Sequence, residues 1–491
     1  MQIAKINSIL LVILTLGLSL RVYDLTDESI WKDEVITISV VSLIPVEIVE
    51  NRTSNNHPPL YFLITHYWTT LAGVSVFSVR FLSVVFSVLG MAILYKLGHL
   101  MFNKEVGIVS TLILGMSPFH IFYSQDARMY TLMTFLTLLS VYFFIKLLQQ
   151  DDFKDRIAYI LFSCLLMYTH IYALFIIIAQ NVYVFILYLF SSKSTRPNLQ
   201  KWILVESSLL FLYLPWIILF LQQTFKVEGG YYWLSSPTVM SMVKSVGRYA
   251  GSVTLLLIFL LLVSFAIFNA LPDTKTLGKS IRTRTWNGKL SKPNNKVFLL
   301  LLWVFIPVIL PFIISKVVTP IYLTRYTIGA SLALYLLVAK GINDINYKAV
   351  KLIAISLVII LSFVNIWQYY PAVNKAPWKD VVALVDANAK SGDLLLFNGL
   401  EEGNIFKIYS NRKDLIYESF PNDGSYRISQ ENIKTLKPTV NDYDRVWFIR
   451  DRSENLNLIK ETLHPPYIFF KFGPYSAKYD NGINVYLFEK R

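Results

Sequence analysis

The stretch I-W-K-D-E-V-I-T at residues 30–37, followed by N-N-H-P-P-L-Y-F at residues 55–62, stands between a first apolar run and a long series of others. It joins an adjacent acid pair, Asp33 and Glu34, to a histidine and two prolines that open an aromatic-rich helix. Acids beside or within a bilayer are costly to desolvate and tend to be kept for a task. Outward from this loop the chain is apolar: of 491 residues 54% are hydrophobic and 16% charged, with a mean hydropathy of +0.49. A soluble protein of this length carries roughly a quarter charged residues. Repeated apolar runs of about 18 residues or more read as a polytopic membrane protein.

The first run, Ile6 to about Leu20, follows Lys5. A cleaved signal peptide with Gly17 and Ser19 as a small-x-small site is the alternative, but the many later spans favour an uncleaved helix. Further spans are expected at about 79–101, 106–122, 129–148, 157–169, 171–190, 203–221, 252–271, 297–315, 326–340 and 350–370, about eleven in all. The net charge of +14 does not point to nucleic acid, because lysines and arginines concentrate in alternate short loops. With a cytoplasmic N-terminus, inner loops hold seventeen (Lys104, Lys146, Lys193 and the Lys275–Lys296 cluster among them) and outer loops eight. That asymmetry orients the chain, and an odd number of spans puts the C-terminus outside. Cys164, the single cysteine, sits in an apolar run, so neither a disulfide framework nor a thiolate metal site is expected.

The expected fold is therefore mainly α: a transmembrane helical bundle over residues 1–370 and a small extracytoplasmic α/β domain over 371–491. In that domain Trp378–Ala389 has the periodicity of an amphipathic helix, and Ser391-Gly392-Asp393 forms a turn. Leu394–Phe397, Arg445–Ile449, Tyr467–Phe472 and Asn484–Phe488 read as strands, and Leu456–Leu463 as a helix. The orientation places the protein in the plasma membrane with the C-terminal domain outside.

Asp33, Glu34, His57, Asp126, Arg128, His170 and Arg325 all fall in outer loops or at outer helix ends, which a purely structural bundle does not require. A solvated acid pair at a helix start is the plain reading of Asp33 and Glu34. With Trp31–Ile38 as a short helix, Trp31, Val35 and Ile38 would share a face in the interface. His57 precedes a helix N-terminus, where an anion is favoured, and Leu60, Leu63, Ile64, Tyr67 and Leu71 form an apolar stripe beyond it. In S-P-F-H-I-F-Y-S-Q-D-A-R-M-Y (residues 117–130), Asp126 and Tyr130 would share a helix face; a charged cap between two spans is the alternative. Arg325, in P-I-Y-L-T-R-Y-T (residues 320–327), has the planar fork that matches phosphate oxygens, with interfacial snorkelling as the alternative.

These segments, with Y-T-H-I-Y around His170, resemble in order and sidedness the GT-C membrane glycosyltransferases. The likeness is to the branch similar to protein O-mannosyltransferases and lipid A aminoarabinose transferases, over about residues 1–370. The resemblance implies a sugar donor on a polyprenyl phosphate and transfer on the extracytoplasmic side to a glycan, lipid or protein. By it, Asp33 matches the first-loop acid proposed as general base, and Asp126 the second-loop acid. Glu34 joins them as a catalytic candidate. His57 falls where the aminoarabinose transferases carry a phosphate-contacting lysine, and Arg128, Arg325 and Tyr326 complete the expected donor-phosphate contacts. Tyr61, Tyr130 and His170 are the candidates for touching substrate. Some relatives bind a divalent cation, but Asn56 replaces a glutamate that helps hold it. A phosphate leaving group needs cations rather than a strong acid, which Arg128, Arg325 and a protonated His57 would supply. One base without a second nucleophilic carboxylate favours inversion. A transporter or flippase of lipid-linked saccharides is the runner-up, disfavoured by the lack of inverted repeats; a non-catalytic scaffold is a weaker third.

Overall fold

The structure, a computed structural model, describes residues 2–53, 57–191, 196–226, 234–271, 293–372, 374–421, 428–450, 456–464, 466–475 and 482–490. Asn56, Lys193 and the basic residues of the loop over 272–292 lie outside these. By internal packing the chain divides into two compact units, one of residues 1–23 and 40–367, the other of residues 24–39 and 368–491. The division falls inside the Lys32–Val41 helix, and the W-K-D-E segment belongs with the C-terminal unit.

The membrane unit contains a helix for each of the eleven expected spans, beginning with Gln2–Val22 and ending with Lys348–Tyr369. Among the described residues seven are long and apolar enough to cross a bilayer, or eight if a bent pair counts as one span. Phe153–Met167 and Ile328–Asn343 are shorter. Apolar side chains face outward along them: Leu11, Val12, Leu257, Leu261, Phe268 and Trp367 are all exposed. Hydrocarbon outside the bundle makes that arrangement costless. Helices pack closely where glycines permit. A Cβ on Gly98 would lie 2.7 Å from the Cα of Gly107, so Val76–Met101 and Lys104–Gly115 form a tight hairpin.

The bent pair positions the second outer loop. Lys104–Gly115 and Pro118–Ser124 meet at 64°. Pro118 has no N–H to continue the helical ladder, and the Ser117 side chain caps the new helix by accepting from the His120 N–H. The carbonyls freed at the bend are met by Arg21, a fully buried guanidinium at the end of the first helix. It donates to Leu114 at 3.1 Å and to Gly115 at 3.0 Å, while its Nε donates to Ser87 at 2.7 Å. Gln125, just past the bend, donates to the Tyr23 carbonyl at 2.7 Å.

The second unit carries a five-stranded sheet in the order β2-β1-β3-β5-β4. β1 (Leu394–Phe397) lies parallel between β2 (Ile416–Ser419) and β3 (Arg445–Arg450); β5 (Ile483–Lys490) is antiparallel to β3 and to β4 (Tyr467–Tyr475). β1 is buried throughout, which is why its four residues are all apolar. Leu394, Leu396, Val446, Phe448 and Phe488 pack with Ile459 and Leu463 of the Leu456–Leu463 helix in one core. The expected elements of this unit are all present. The Leu400–Tyr409 helix and strand β2 were not anticipated.

Two local expectations are corrected. Trp31 and Val35 are buried rather than laid in an interface. The stretch from Gln125 to Met129 is not helical, so Asp126 and Tyr130 do not share a helix face; the Arg128 N–H closes a short turn onto the Asp126 carbonyl at 2.8 Å.

Candidate active site

In the membrane unit, four of the expected residues converge with one that was not expected. Helix Pro45–Thr53 carries Arg52, whose guanidinium carbon lies 4.5 Å from the centroid of the Phe62 ring. Arg128, from the turn after the bent pair, approaches the same ring at 5.9 Å. Phe62 can serve both because helix Leu60–Ala72 turns Tyr61, Phe62, Thr65 and Thr69 inward, leaving Tyr67 and Leu71 of the apolar stripe exposed. Two guanidiniums sharing a ring repel: burial first, then the charge of Arg128, lowers the pKa of Arg52 to about 10. Arg52 is 3% exposed, so solvent does little to screen the pair.

The histidines feel the same field. His57 sits in the loop before Leu60–Ala72, whose start is tied to the chain beyond by the Leu60 N–H donating to the Tyr168 carbonyl. Burial, followed by Arg128, His170, Arg52 and Arg325, holds its pKa well below the usual histidine range. The protonated form that the sequence suggests for His57 is thus disfavoured, by burial first and by the surrounding cations second. His170 is fully buried, and burial with Arg128 and Arg325 takes it down to about 3. Its Nδ1 accepts the Tyr172 N–H at 3.1 Å, which puts the ring proton of the neutral imidazole on Nε2. That Nε2 is buried without a hydrogen-bond partner among the described residues, as is Nδ1 of His57. The two rings are 6.0 Å apart.

Aromatic rings wall this group. Tyr326 packs edge-on to His170 at 4.7 Å and to Tyr172 at 5.2 Å, and Tyr130 lies 6.2 Å from His170. Tyr326 and Arg325 belong to a short 3-10 turn, Thr324–Thr327, pinned by a hydrogen bond between the hydroxyls of Ser245 and Thr324 and by the Tyr249 hydroxyl donating to the Thr327 carbonyl. Tyr61 is fully buried beside Phe62, with Asp126 and Arg128 within electrostatic reach. Asp126 is itself fully buried. The neighbourhood thus combines Arg52, Arg128 and Arg325 with two histidines held below their usual pKa, the buried Asp126 and aromatic walls. Among the described residues no three His, Cys, Asp or Glu side chains converge as metal ligands.

Asp33 and Glu34 lie in the other unit, at the start of helix Lys32–Val41. Asp33 is half-buried; Glu34 is 1% exposed and paired with Lys375 at 3.0 Å. Arg52 and Lys375 are the two residues missed. The sequence marks Arg52 only as an outer-loop charge, and nothing in the pattern around Lys375 singles it out.

Residues 56–220 match the family model for dolichyl-phosphate-mannose-protein mannosyltransferases. Over almost the full chain the fold matches ArnT from Cupriavidus metallidurans in the apo state: 10% identity, 97% of each chain covered, TM-score 0.59. The family match thus covers residues 56–220, and the fold of the whole chain is similar to that of ArnT. The ArnT structure bound to undecaprenyl phosphate matches at 10% identity and TM-score 0.58, covering 99% of this chain and 98% of that one. The fold is also similar to that of the oligosaccharyltransferase AglB from Archaeoglobus fulgidus, in complex with an inhibitory peptide and a dolichol-phosphate. That match has 9% identity and TM-score 0.54, over 90% of this chain and 69% of that one. No curated protein matches the sequence.

Proposed function

We propose that the protein moves a sugar from a polyprenyl phosphate to a hydroxyl acceptor on the extracytoplasmic face, with inversion and with Asp33 as general base. The observation that carries this reading is the cluster of Arg52, Arg128 and Arg325 around two neutral histidines. Like charges are held together there at a cost that a phosphate would offset. Solved relatives bind undecaprenyl phosphate or dolichol-phosphate, which supports a polyprenyl carrier.

In the proposed reaction the acceptor oxygen attacks the anomeric carbon as Asp33 takes its proton. The bond from that carbon to the phosphate oxygen breaks, and its electron pair leaves with the polyprenyl phosphate. The leaving group gains charge that Arg128, Arg325 and Arg52 stabilise, while the N–H groups of His57 and His170 donate to its oxygens. Asp126 orients the acceptor.

The test uses purified protein in detergent, a panel of polyprenyl-phosphate sugars and crude envelope acceptors, with release of free polyprenyl phosphate as the readout. Release by wild type and loss of at least 1,000-fold in Asp33→Asn is the expected result; a base removed from a displacement costs roughly 10²–10⁴ in rate. An Asp33→Asn protein with wild-type turnover removes Asp33 from the role. Tight donor binding with no release from any donor would favour a flippase.

A further inference from the structure

The two residues flanking Asp33 are both ion-paired to the C-terminal part of the chain. Lys32 reaches Glu402 at 3.4 Å and Glu401 at 3.7 Å. Glu34 meets Lys375 at 3.0 Å, with exposures of 1% and 2%, and the Lys375 ammonium also lies 6.0 Å from the centre of the Trp31 ring. The rest of the segment is tied down the same way. The Ile30 N–H donates to the Tyr409 hydroxyl at 2.7 Å, and the Asn374 N–H to Glu28 at 2.8 Å. The Lys379 N–H donates to Ser29 at 3.0 Å, and its ammonium to the carbonyls of Thr26 and Asp27 at 2.9 Å each. So many bonds onto one short segment fix its backbone far more firmly than an outer loop needs for stability alone.

We propose that Lys375 is a positioning residue for Asp33, acting through Glu34, and that the C-terminal domain serves transfer by holding the first loop in its working conformation. The inference rests on the reading of Asp33 as the base. It reassigns Glu34 from catalysis to anchoring: a carboxylate removed from water and salted to an equally buried ammonium is committed to that partner. Asp33, one residue earlier on the same helix turn, is half-buried, with its Oδ2 buried. A base displaced by about 1 Å loses on the order of 100-fold in rate without any change in its chemistry.

The test compares Lys375→Met, Lys375→Arg and the exchanged pair Glu34→Lys with Lys375→Glu, in the full-length protein. Donor turnover and hydrogen exchange of the amides of residues 26–36 are followed together. Lys375→Met is expected to lower kcat by about 100-fold and to speed exchange across the segment. The donor KM stays within about twofold, because the residues proposed to hold the phosphate belong to the membrane unit. Lys375→Arg keeps wild-type protection and at least a tenth of the rate, and the exchanged pair recovers at least about tenfold over Lys375→Met. Wild-type exchange and kcat in Lys375→Met would overturn the proposal. So would an exchanged pair with restored protection but no activity, since Glu34 would then act on substrate itself. If instead Asp33→Asn stays active, the base reading fails, while the exchange of residues 26–36 still reports whether Lys375 holds the loop.

Discussion

Arg52 and Arg128 both approach the ring of one phenylalanine, and their repulsion is the residue-scale feature on which the proposed anion site rests. Replacing Arg52 by Gln removes one charge-assisted contact, worth about 1.5–3 kcal/mol. The expected result is kcat/KM for the donor lowered about 10- to 100-fold, with kcat falling as well because the lost charge acts on the leaving group, read from initial rates of polyprenyl phosphate release; an unaltered kcat/KM would take Arg52 out of the phosphate contacts. The histidines make a second prediction. The folded pKa of His170, about 3, lies below the unfolded value near 6.5. A depressed histidine contributes stability above its unfolded pKa and loses it as pH falls from there toward the folded value, by up to about 1.4 kcal/mol per pH unit. Melting in detergent should thus fall more steeply between pH 6.5 and 5 for wild type than for His170→Asn, whose amide can still accept the Tyr172 N–H. Parallel slopes would show that burial of neutral His170 is not the source. At this scale the sequence showed which charges share the outer side, since loop position follows from hydropathy alone. It could not show that Arg52 and Arg128 share the Phe62 ring, nor that burial would disfavour a charged His57, because both depend on packing against chain segments far apart in sequence.

At the scale of elements, helices were legible because a bilayer imposes one simple rule, apolar length, on each of them. Strands β1, β3, β4 and β5 were legible as apolar runs bounded by turns. β2 was not, because its four residues alternate exposed and half-buried and leave no apolar run to detect. The Leu400–Tyr409 helix was hidden by Gly403 and by the acids of its first turn, Glu401 and Glu402. The sharpest omission was the break after Gly115, where a continuous span over 106–122 was expected. The Ser117-Pro118 pair carried the signal, but its consequence lay elsewhere, in Arg21 at the end of the first helix. Arg21→Met should leave the Gly115 carbonyl unsatisfied in a dry interior, while Leu114 keeps the Ser117 N–H. Such a group costs about 1–3 kcal/mol, and a loss of that order is expected. Because the turn bearing Asp126 and Arg128 begins at that bend, activity should fall along with the melting temperature. A variant with lowered stability but full turnover would show that the turn keeps its shape without the Arg21 bonds.

The whole molecule is organised by sidedness. By the hydropathy of the sequence, the candidate catalytic residues are expected in loops that alternate with those richest in lysine and arginine, and cytoplasmic loops are where lysine and arginine accumulate. The reading of transfer outside the cell depends on that asymmetry. It can be tested without any knowledge of donor or acceptor. In a background with Cys164 replaced by Ser, single cysteines would be placed at Ser391, in the exposed turn before β1, and at Lys275, in the basic loop beginning after Leu271. A membrane-impermeant maleimide added to intact cells should label Ser391→Cys and leave Lys275→Cys unlabelled; permeabilised cells should show both. The reverse pattern would put Asp33, the cation cluster and the C-terminal domain in the cytoplasm, where nucleotide-activated sugars are the abundant donors. Labelling at both positions from outside would mean an even number of crossings between residues 275 and 391, and so that one of the last three apolar helices, Pro293–Val317, Ile328–Asn343 or Lys348–Tyr369, does not cross. Ile328–Asn343 is the shortest of the three at 16 residues and is buried along nearly its whole length. It is the helix whose crossing that result would revoke first.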